Sequence, residues 1–326
     1  MISRDTRVLV TGGAGFIGSH LVERLVGLGA QVTIIDNLST GNVGNLTNVQ
    51  TRANLMVHDL RKALSSGAIR LQDYEVVFHL AANSYVPPSV ERPLFDFETN
   101  LLNSLMLLEG LRSIRNPPRL INASSAAVYG NPISLPIKET DLAFPISPYG
   151  VSKLAAERYT AVYSQIYGIP ATSLRFFSVY GPRQRKQVVY DLLVKVLDHP
   201  DRLEVLGDGT QERDFAYVDD LVDAILLVAE RAPGEGEVYN VASGHAYTIA
   251  ELIDTICKEC EAAPEVRFTG SVRPGDPERW VVDISALRAL GFVPRTELEA
   301  GIRAIKSWHE GTQVNPKNQG TVKVGR

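Results

Sequence analysis

A glycine-rich turn stands directly behind the first apolar run of the chain, and no other feature restricts the fold as much. Val8-Leu9-Val10 leads into Thr11-Gly12-Gly13-Ala14-Gly15-Phe16-Ile17-Gly18. Gly12, Gly15 and Gly18 fall where a strand gives way to a helix. Side chains there would keep the backbone from approaching a pyrophosphate held at the helix N-terminus. Alone, this spacing is a weak signal. Here the second apolar run, Val32-Thr33-Ile34-Ile35, ends in Asp36 at the offset where a carboxylate meets ribose hydroxyls. The pattern predicts a dinucleotide site, and because Asp36 would repel an added 2′-phosphate, NAD is expected rather than NADP.

Further runs repeat the theme at Val76-Val77-Phe78-His79, Leu120-Ile121-Asn122-Ala123 and Ser173-Leu174-Arg175-Phe176, separated by helix-length segments. Their near-continuous hydrophobicity implies burial on both faces, so an α/β, doubly wound parallel sheet of the Rossmann type is expected. Small residues after two of these runs, Leu80-Ala81-Ala82 and Ala123-Ser124-Ser125, should lie where ligands bind, outside the strands' carboxyl ends. Beyond Ser178 the alternation weakens. Residues 1–177 plus 214–242 are read as the NAD-binding domain, and 178–213 plus 243–310 as a smaller, discontinuous substrate lobe. The polar stretch 311–326 reads as a mobile tail. A broad apolar arc at Leu101, Leu102, Leu105, Leu108 and Leu111 predicts one long helix there.

Bulk properties narrow the partners. At 44% hydrophobic and 21% charged, with net charge −4, the 326 residues suit a globular protein and give no basic patch for nucleic acid. No apolar stretch approaches a membrane span, and the start leads into a strand without room for a signal peptide. The only cysteines, Cys257 and Cys260, have no second Cys or His pair to complete a metal site. They sit in an expected helix with capping-box residues Thr248 and Glu251, so idle thiols and a cytoplasmic setting are expected.

The chemistry centres on Ser147-Pro148-Tyr149-Gly150-Val151-Ser152-Lys153. Ser147 suits an N-cap, Pro148 the first helical position, and Gly168 then Pro170 the end. Tyr149 and Lys153, four apart, share one helix face. A free Tyr titrates near 10, so a base working near neutrality needs a shift of about three units, or ~4 kcal/mol. A nearby ammonium and a positive nicotinamide ring act in that direction.

Together these motifs make the chain resemble an extended short-chain dehydrogenase/reductase of the nucleotide-sugar epimerase/dehydratase family, nearest the UDP-glucose 4-epimerase group. The resemblance runs to about His309 and includes Asp36-Asn37-Leu38, Asp59-Leu60, His79-Leu80-Ala81-Ala82, Ser124 to Gly130, Leu174 to Arg183 and Arg213-Asp214-Phe215. It implies that Asp59 and Leu60 hold the adenine and that Asn100 sits near the nicotinamide. Lys153 would bind the nicotinamide ribose, and Phe177 would pack by the carboxamide. By the same resemblance Arg213 and Arg273 bind a substrate diphosphate, Asp276 a nucleotide ribose, and Ser178 faces the sugar. A homodimer through helices near Leu105 and Tyr159 is also implied.

The alanines narrow the reaction. Related dehydratases carry Asp and Glu after the catalytic Ser or Thr, whereas this chain has Ala126 and Ala127, which move no protons. Ser125, Tyr149 and Lys153 remain, which fits reversible oxidation at one carbon and hence C4 epimerisation of a nucleoside-diphosphate sugar, UDP favoured. Ala127 stands where a hydroxyl is usual, which leaves Ser125 to assist Tyr149, and two departures bear on the sugar: Ser178 replaces a usual Asn, and the segment Arg183 to Tyr190 is short. A heptose 6-epimerase, a dehydratase with displaced acids, a 4-keto reductase and an idle NAD-binding sensor stay open at this point.

Overall fold

The computed structural model describes residues 2–271 and 279–314. Its main sheet holds seven strands: β1 (Arg7–Thr11), β2 (Gln31–Asp36), β3 (Ala53–Val57), β4 (Val76–His79), β5 (Arg119–Ser125), β6 (Ala171–Phe176) and β10 (Glu235–Val241). They lie in the order β3-β2-β1-β4-β5-β6-β10, and every pairing is parallel. The sequence order therefore reverses between β1 and β4. That switch point opens a crevice at the carboxyl ends of both strands, directly beside the glycine turn.

Strand periodicity sends alternate side chains to opposite faces. Val8, Val10, Ile34 and Phe78 join one core cluster, while Leu9, Ile35, Val77 and Leu120 join another. The first is covered by α1 (Phe16–Gly27), α8 (Val218–Arg231) and α10 (Ser285–Ala289), the second by α2 (Leu60–Ser66) and α5 (Asn103–Arg112). Both faces are thus buried, as the apolar runs require. Edge strand β3 has no such run: Asn54 and Val57 are exposed and the rest half-buried, so its sequence carries no strand signal.

The remaining strands form separate small sheets. β9 (Glu212–Tyr217) pairs with β7 (Ser178–Tyr180), β11 (Ala246–Thr248) and β13 (Arg279–Trp280), while β8 (Arg202–Val205) pairs with β12 (Glu265–Phe268). A third core lies here, built by α7 (Val188–Asp198), α9 (Ile249–Cys260) and α11 (Leu298–Val314). The expected capping box is present, with Thr248 Oγ1 accepting from Glu251 N at 3.1 Å and Thr248 N donating to the Glu251 carboxylate at 2.7 Å. Cys257 and Cys260 are free, and burial raises both thiols above their ordinary range. Among the described residues no helix is long and apolar enough to cross a membrane.

The long helix expected around Leu101 to Leu111 is present, with one irregularity: after α3 (Val86–Glu91), α4 (Pro93–Asp96) leads into a π-helical stretch, Phe97–Leu102, which passes into α5. One wide turn barely disturbs apolar spacing, so periodicity does not report it. One expectation needs correction: the polar stretch from Gly311 does not begin as a tail, because α11 continues to Val314. Its preceding turn is anchored by Arg185 over the Trp308 ring and by a 3.1 Å Tyr190–His309 hydrogen bond. Residues 315–326 lie outside the described residues.

Helix α6 (Pro148–Tyr167) keeps all its expected punctuation. Ser147 Oγ accepts from Gly150 N at 3.1 Å, Pro148 opens the helix, and Gly168 closes it in the left-handed region at φ 66°. Ser147→Ala removes the cap of the helix that carries Tyr149 and is expected to cost about 1 kcal/mol, read as a lower urea midpoint with an unchanged m value.

Candidate active site

Tyr149 and Lys153 come from the first turns of α6, where it crosses the carboxyl end of β5. Both are buried, with Tyr149 at 8% and Lys153 at 7% exposure. As the second residue of its helix, Tyr149 has an amide without an intrahelical acceptor, and Ser89 Oγ of α3 accepts it at 3.1 Å. Lys153 Nζ donates to the Ala123 carbonyl at 2.9 Å. At Gly150 the helix packs so closely on the turn after β5 that an added Cβ would lie 2.8 Å from Pro145 and closer still to the Ala127 carbonyl.

Ser125 completes the group. Its Oγ accepts from Ala127 N at 3.2 Å and so caps the short turn Ala126–Val128. Its hydroxyl also acts on the Tyr149 phenol in the sense that favours the phenolate. Burial outweighs it and pushes the Tyr149 phenol up to about 12, with the Asp96 carboxylate adding in the same direction. Burial also brings the Lys153 ammonium down to about 8, against the opposing effect of Asp96. The chain's own groups therefore hold Tyr149 protonated. Desolvation of the buried phenolate is the larger effect here, so the expected lowering needs the positive nicotinamide ring beside Lys153.

The residues expected to bind the dinucleotide follow the carboxyl ends of β1, β2, β3 and β4. Gly12 adopts φ +73°, and a Cβ there would lie 2.7 Å from Ala81 N, so the glycine turn and the Leu80-Ala81-Ala82 segment touch backbone to backbone. No side chain caps α1 at Gly15, which leaves its first amides, those of Phe16 and Ile17 among them, for an anion. An added Cβ at Gly18 would lie 2.8 Å from Gly13 Cα. Asp36 accepts from Ala14 N at 3.0 Å and from Leu38 N at 2.8 Å, one bond per oxygen, leaving lone pairs for ribose hydroxyls. Burial raises its carboxyl above the ordinary value despite both bonds. Asn37 caps its own turn through Ser39 N at 3.0 Å, and Asp59 caps α2, which Leu60 begins. These residues fit NAD.

A hydrogen-bonded chain joins this loop to the π-helical stretch. Ala81 N donates to Thr11 Oγ1 at 3.2 Å, which lies 2.8 Å from His79 Nδ1. His79 Nε2 is 3.0 Å from Ser104 Oγ, which donates to the Asn100 carbonyl at 2.6 Å. Burial brings His79 down to about 3, so the ring is neutral. Ser104 spends its proton on Asn100, so His79 carries hydrogen on Nε2 and accepts from Thr11 on Nδ1. Only that order satisfies every group.

Phe177 is buried and meets Trp280 edge to face at 5.8 Å. Ser178 opens β7, and Arg213 on β9 places its guanidinium 5.5 Å above the Trp280 ring while donating to the Glu212 carbonyl at 2.8 Å. The Trp280 indole N–H is buried without a partner among the described residues, a polar contact the sequence did not flag. Arg273 and Asp276 fall outside the described residues. The short segment after Gly181 is tied down on both sides: Arg183 reaches Ser19 and Glu23, and Lys186 lies 5.5 Å over the Tyr85 ring. Arg183 and Gln187 both take left-handed backbone at φ 74° and 73°. Such conformations in non-glycine residues concentrate at functional sites.

Sequence reasoning also missed a buried brace behind Ser125. Glu157, one turn beyond Lys153, accepts from Ser124 Oγ at 2.8 Å and from Arg175 at 2.9 and 2.6 Å. Arg175 continues to Tyr129 at 2.7 Å, whose hydroxyl donates to Asn240 at 2.6 Å. The brace joins β5, α6, β6 and β10 at their functional ends.

A Rossmann crevice with Ser, Tyr and Lys converging beside it defines the short-chain dehydrogenase/reductase class. Within that class, residues 9–305 match the family model described as GDP-mannose 4,6 dehydratase, and the chain belongs to that family. The UDP-glucose 4-epimerase of Mycolicibacterium smegmatis is 34% identical, over 91% of this chain and 96% of that one. The Thermotoga maritima UDP-glucose 4-epimerase with UDP-glucose superposes with a TM-score of 0.87 at 34% identity, covering 94% and 100% of the two chains. The Bacillus cereus UDP-glucuronic acid 4-epimerase with UDP-glucuronic acid and NAD gives a TM-score of 0.85 at 33% identity, over 94% and 99%.

Lys153 offers a direct check of the site's polarity. The unfolded chain keeps this proton up to about 10.5, and the folded chain releases it near 8. The unfolded state therefore binds more protons between those values, and rising pH through that window favours the fold through this group. NMR of the lysine side chains, assigned against Lys153→Arg, is expected to show one ammonium titrating near 8 in the protein free of ligands.

Proposed function

We propose that the chain is an NAD-dependent UDP-sugar 4-epimerase. The observation that carries this reading is the composition of the pocket around Tyr149. Ser125 favours its phenolate, and the next two residues are alanines, one of them fully buried. The site holds a base and its hydroxyl partner without the flanking Asp and Glu that dehydration uses. Bound NAD supplies hydride acceptance and return together with a positive ring charge.

Tyr149 takes the proton from the 4-hydroxyl, and Ser125 holds the phenolate oxygen through its own O–H. Lys153 adds an ammonium fixed to the Ala123 carbonyl, so its charge cannot wander from the helix face. Ser178, Arg213, Arg273 and Asp276 bind the UDP-sugar, with the guanidinium groups on the diphosphate, where forked donors suit phosphate oxygens. The neighbouring indole N–H of Trp280 offers a donor to the sugar. Gly12, Gly15, Gly18, Asp36, Asn37, Asp59, Leu60, Leu80 to Ala82, Asn100 and Phe177 form the NAD side. Among UDP-hexoses, the glucose, N-acetyl and uronate forms are the candidates.

The working unit is a homodimer in the cytoplasm. Supporting it, Tyr159, Val162, Ile166 and Tyr167 leave an apolar stripe exposed along α6, with Ile166 at 67%. Burying such a stripe at roughly 25 cal/mol per Å2 stabilises association. Ile166→Glu is expected to shift the protein toward monomer on size-exclusion chromatography with light scattering, and an unchanged elution would place the interface elsewhere.

Incubation with UDP-galactose, UDP-N-acetylgalactosamine and UDP-glucuronate, followed by product separation, tests the activity. At least one 4-epimer should form without added reduced cofactor. Tyr149→Phe should lower its kcat by about 10^3-fold with little change in Tm, since general-base loss costs on the order of 10^2 to 10^4. Loss of water from the sugar, or full activity in Tyr149→Phe, would sink this reading.

A further inference from the structure

Asp96 closes α4 and is fully buried. Its carboxylate accepts from Ser152 Oγ at 2.6 Å on one oxygen, and from Asn83 Nδ2 at 2.8 Å and Asn100 Nδ2 at 3.0 Å on the other. All three donors are neutral. A buried carboxylate so held still carries a desolvation penalty, which a nearby opposite charge offsets. The Lys153 ammonium is in the mirror situation, buried with a neutral carbonyl as its partner.

The two are joined through one residue. Ser152 precedes Lys153 on α6, and its Oγ lies 2.9 Å from the Tyr149 carbonyl and 3.2 Å from Asn100 Nδ2. Asn100 in turn clamps Asn83, accepting from its amide at 2.7 Å and donating to its carbonyl at 3.1 Å. One carboxylate therefore fixes the orientation of Asn100, the loop after β4 and the Tyr149–Lys153 turn. Around that turn, α3 presents Ser89 and β5 presents Ser125, both neutral, and His79 of β4 is a neutral ring. Glu157 of α6 is held in an ion pair with Arg175 of β6 at 2.6 Å, and Asp96 is the carboxylate that acts on the pair from α4.

We propose that Asp96 is a positioning residue for the reaction, a buried countercharge to Lys153 that also locks Asn100 and the Tyr149 turn into one unit. The proposal rests on the epimerase reading for its kinetic part only. Its electrostatic part follows from burial: the carboxylate favours the charged ammonium and disfavours the phenolate. Removing it moves both titrations toward lower pH.

Asp96→Asn keeps the shape, and Asp96→Ser removes the charge by a smaller route should the first variant not accumulate. Each is compared, as purified holoenzyme, with wild type and with Ser152→Ala, which deletes one donor and keeps the charge. In Asp96→Asn or Asp96→Ser, the Lys153 titration by NMR should fall by about one pH unit. The phenolate absorbance lost in a Tyr149→Phe background should appear at lower pH, and both limbs of the kcat/KM profile should move down together. Ser152→Ala should weaken the fold without that downward shift. Titrations unmoved by charge removal, or moved equally by Ser152→Ala, would overturn the proposal. Because the spectroscopic titrations need no substrate, they stand even if the activity proves to be another one.

Discussion

The contact between Lys153 Nζ and the Ala123 carbonyl organises the rest of the site. It forms where a helix crosses the carboxyl end of a central strand, and it can form only if the lysine is buried. Burial makes the ammonium easier to deprotonate and the adjacent phenol harder to ionise. The pocket thus has a polarity problem created by its own packing. The donor on Ser125, the carboxylate of Asp96 and the positive ring of a bound nicotinamide each act on that one problem. Reading the pair as a simple phenolate-and-ammonium couple overlooks the desolvation that dominates it.

The parts of this arrangement visible in the sequence are those set by local chemistry. The glycine turn, Asp36 at the end of β2, and the Ser147, Pro148 and Gly168 punctuation of α6 each depend on a few neighbouring residues. All appear where expected. Strand β3 was hidden because an edge strand with one wet face loses the continuous apolar run. The π-helical stretch was hidden because a single wide turn leaves leucine spacing almost intact. Asn83, Asp96, Glu157 and Trp280 have no local signature: their meaning comes from distant segments brought within hydrogen-bond or ring contact. The alanines after Ser125 were legible for a different reason, since an absent functional group needs no geometry to be recognised.

Placing the reactive groups at the carboxyl ends of parallel strands also explains why the buried polar groups come as networks. Strand ends leave backbone groups that must be paired, and side chains such as Thr11, Ser124 and Ser125 extend that pairing toward the ligand. The Glu157–Arg175 brace satisfies the ends of β5 and β6 together and reaches Asn240 of β10. Removing one member would leave a charge buried without its partner, which costs far more than the pair contributes.

The chain of bonds from Ala81 through Thr11, His79 and Ser104 to Asn100 has a direction as well as a geometry. Each hydroxyl and the imidazole passes its hydrogen the same way, so the row behaves like a line of aligned arrows. Reversing one arrow leaves two hydrogens facing at one junction and two lone pairs facing at another. The glycine turn and the π-helical stretch are therefore coupled by sense, and neither end can exchange its donor for an acceptor alone. A substitution that keeps size but swaps donor for acceptor anywhere along the row should be felt at both ends of the crevice.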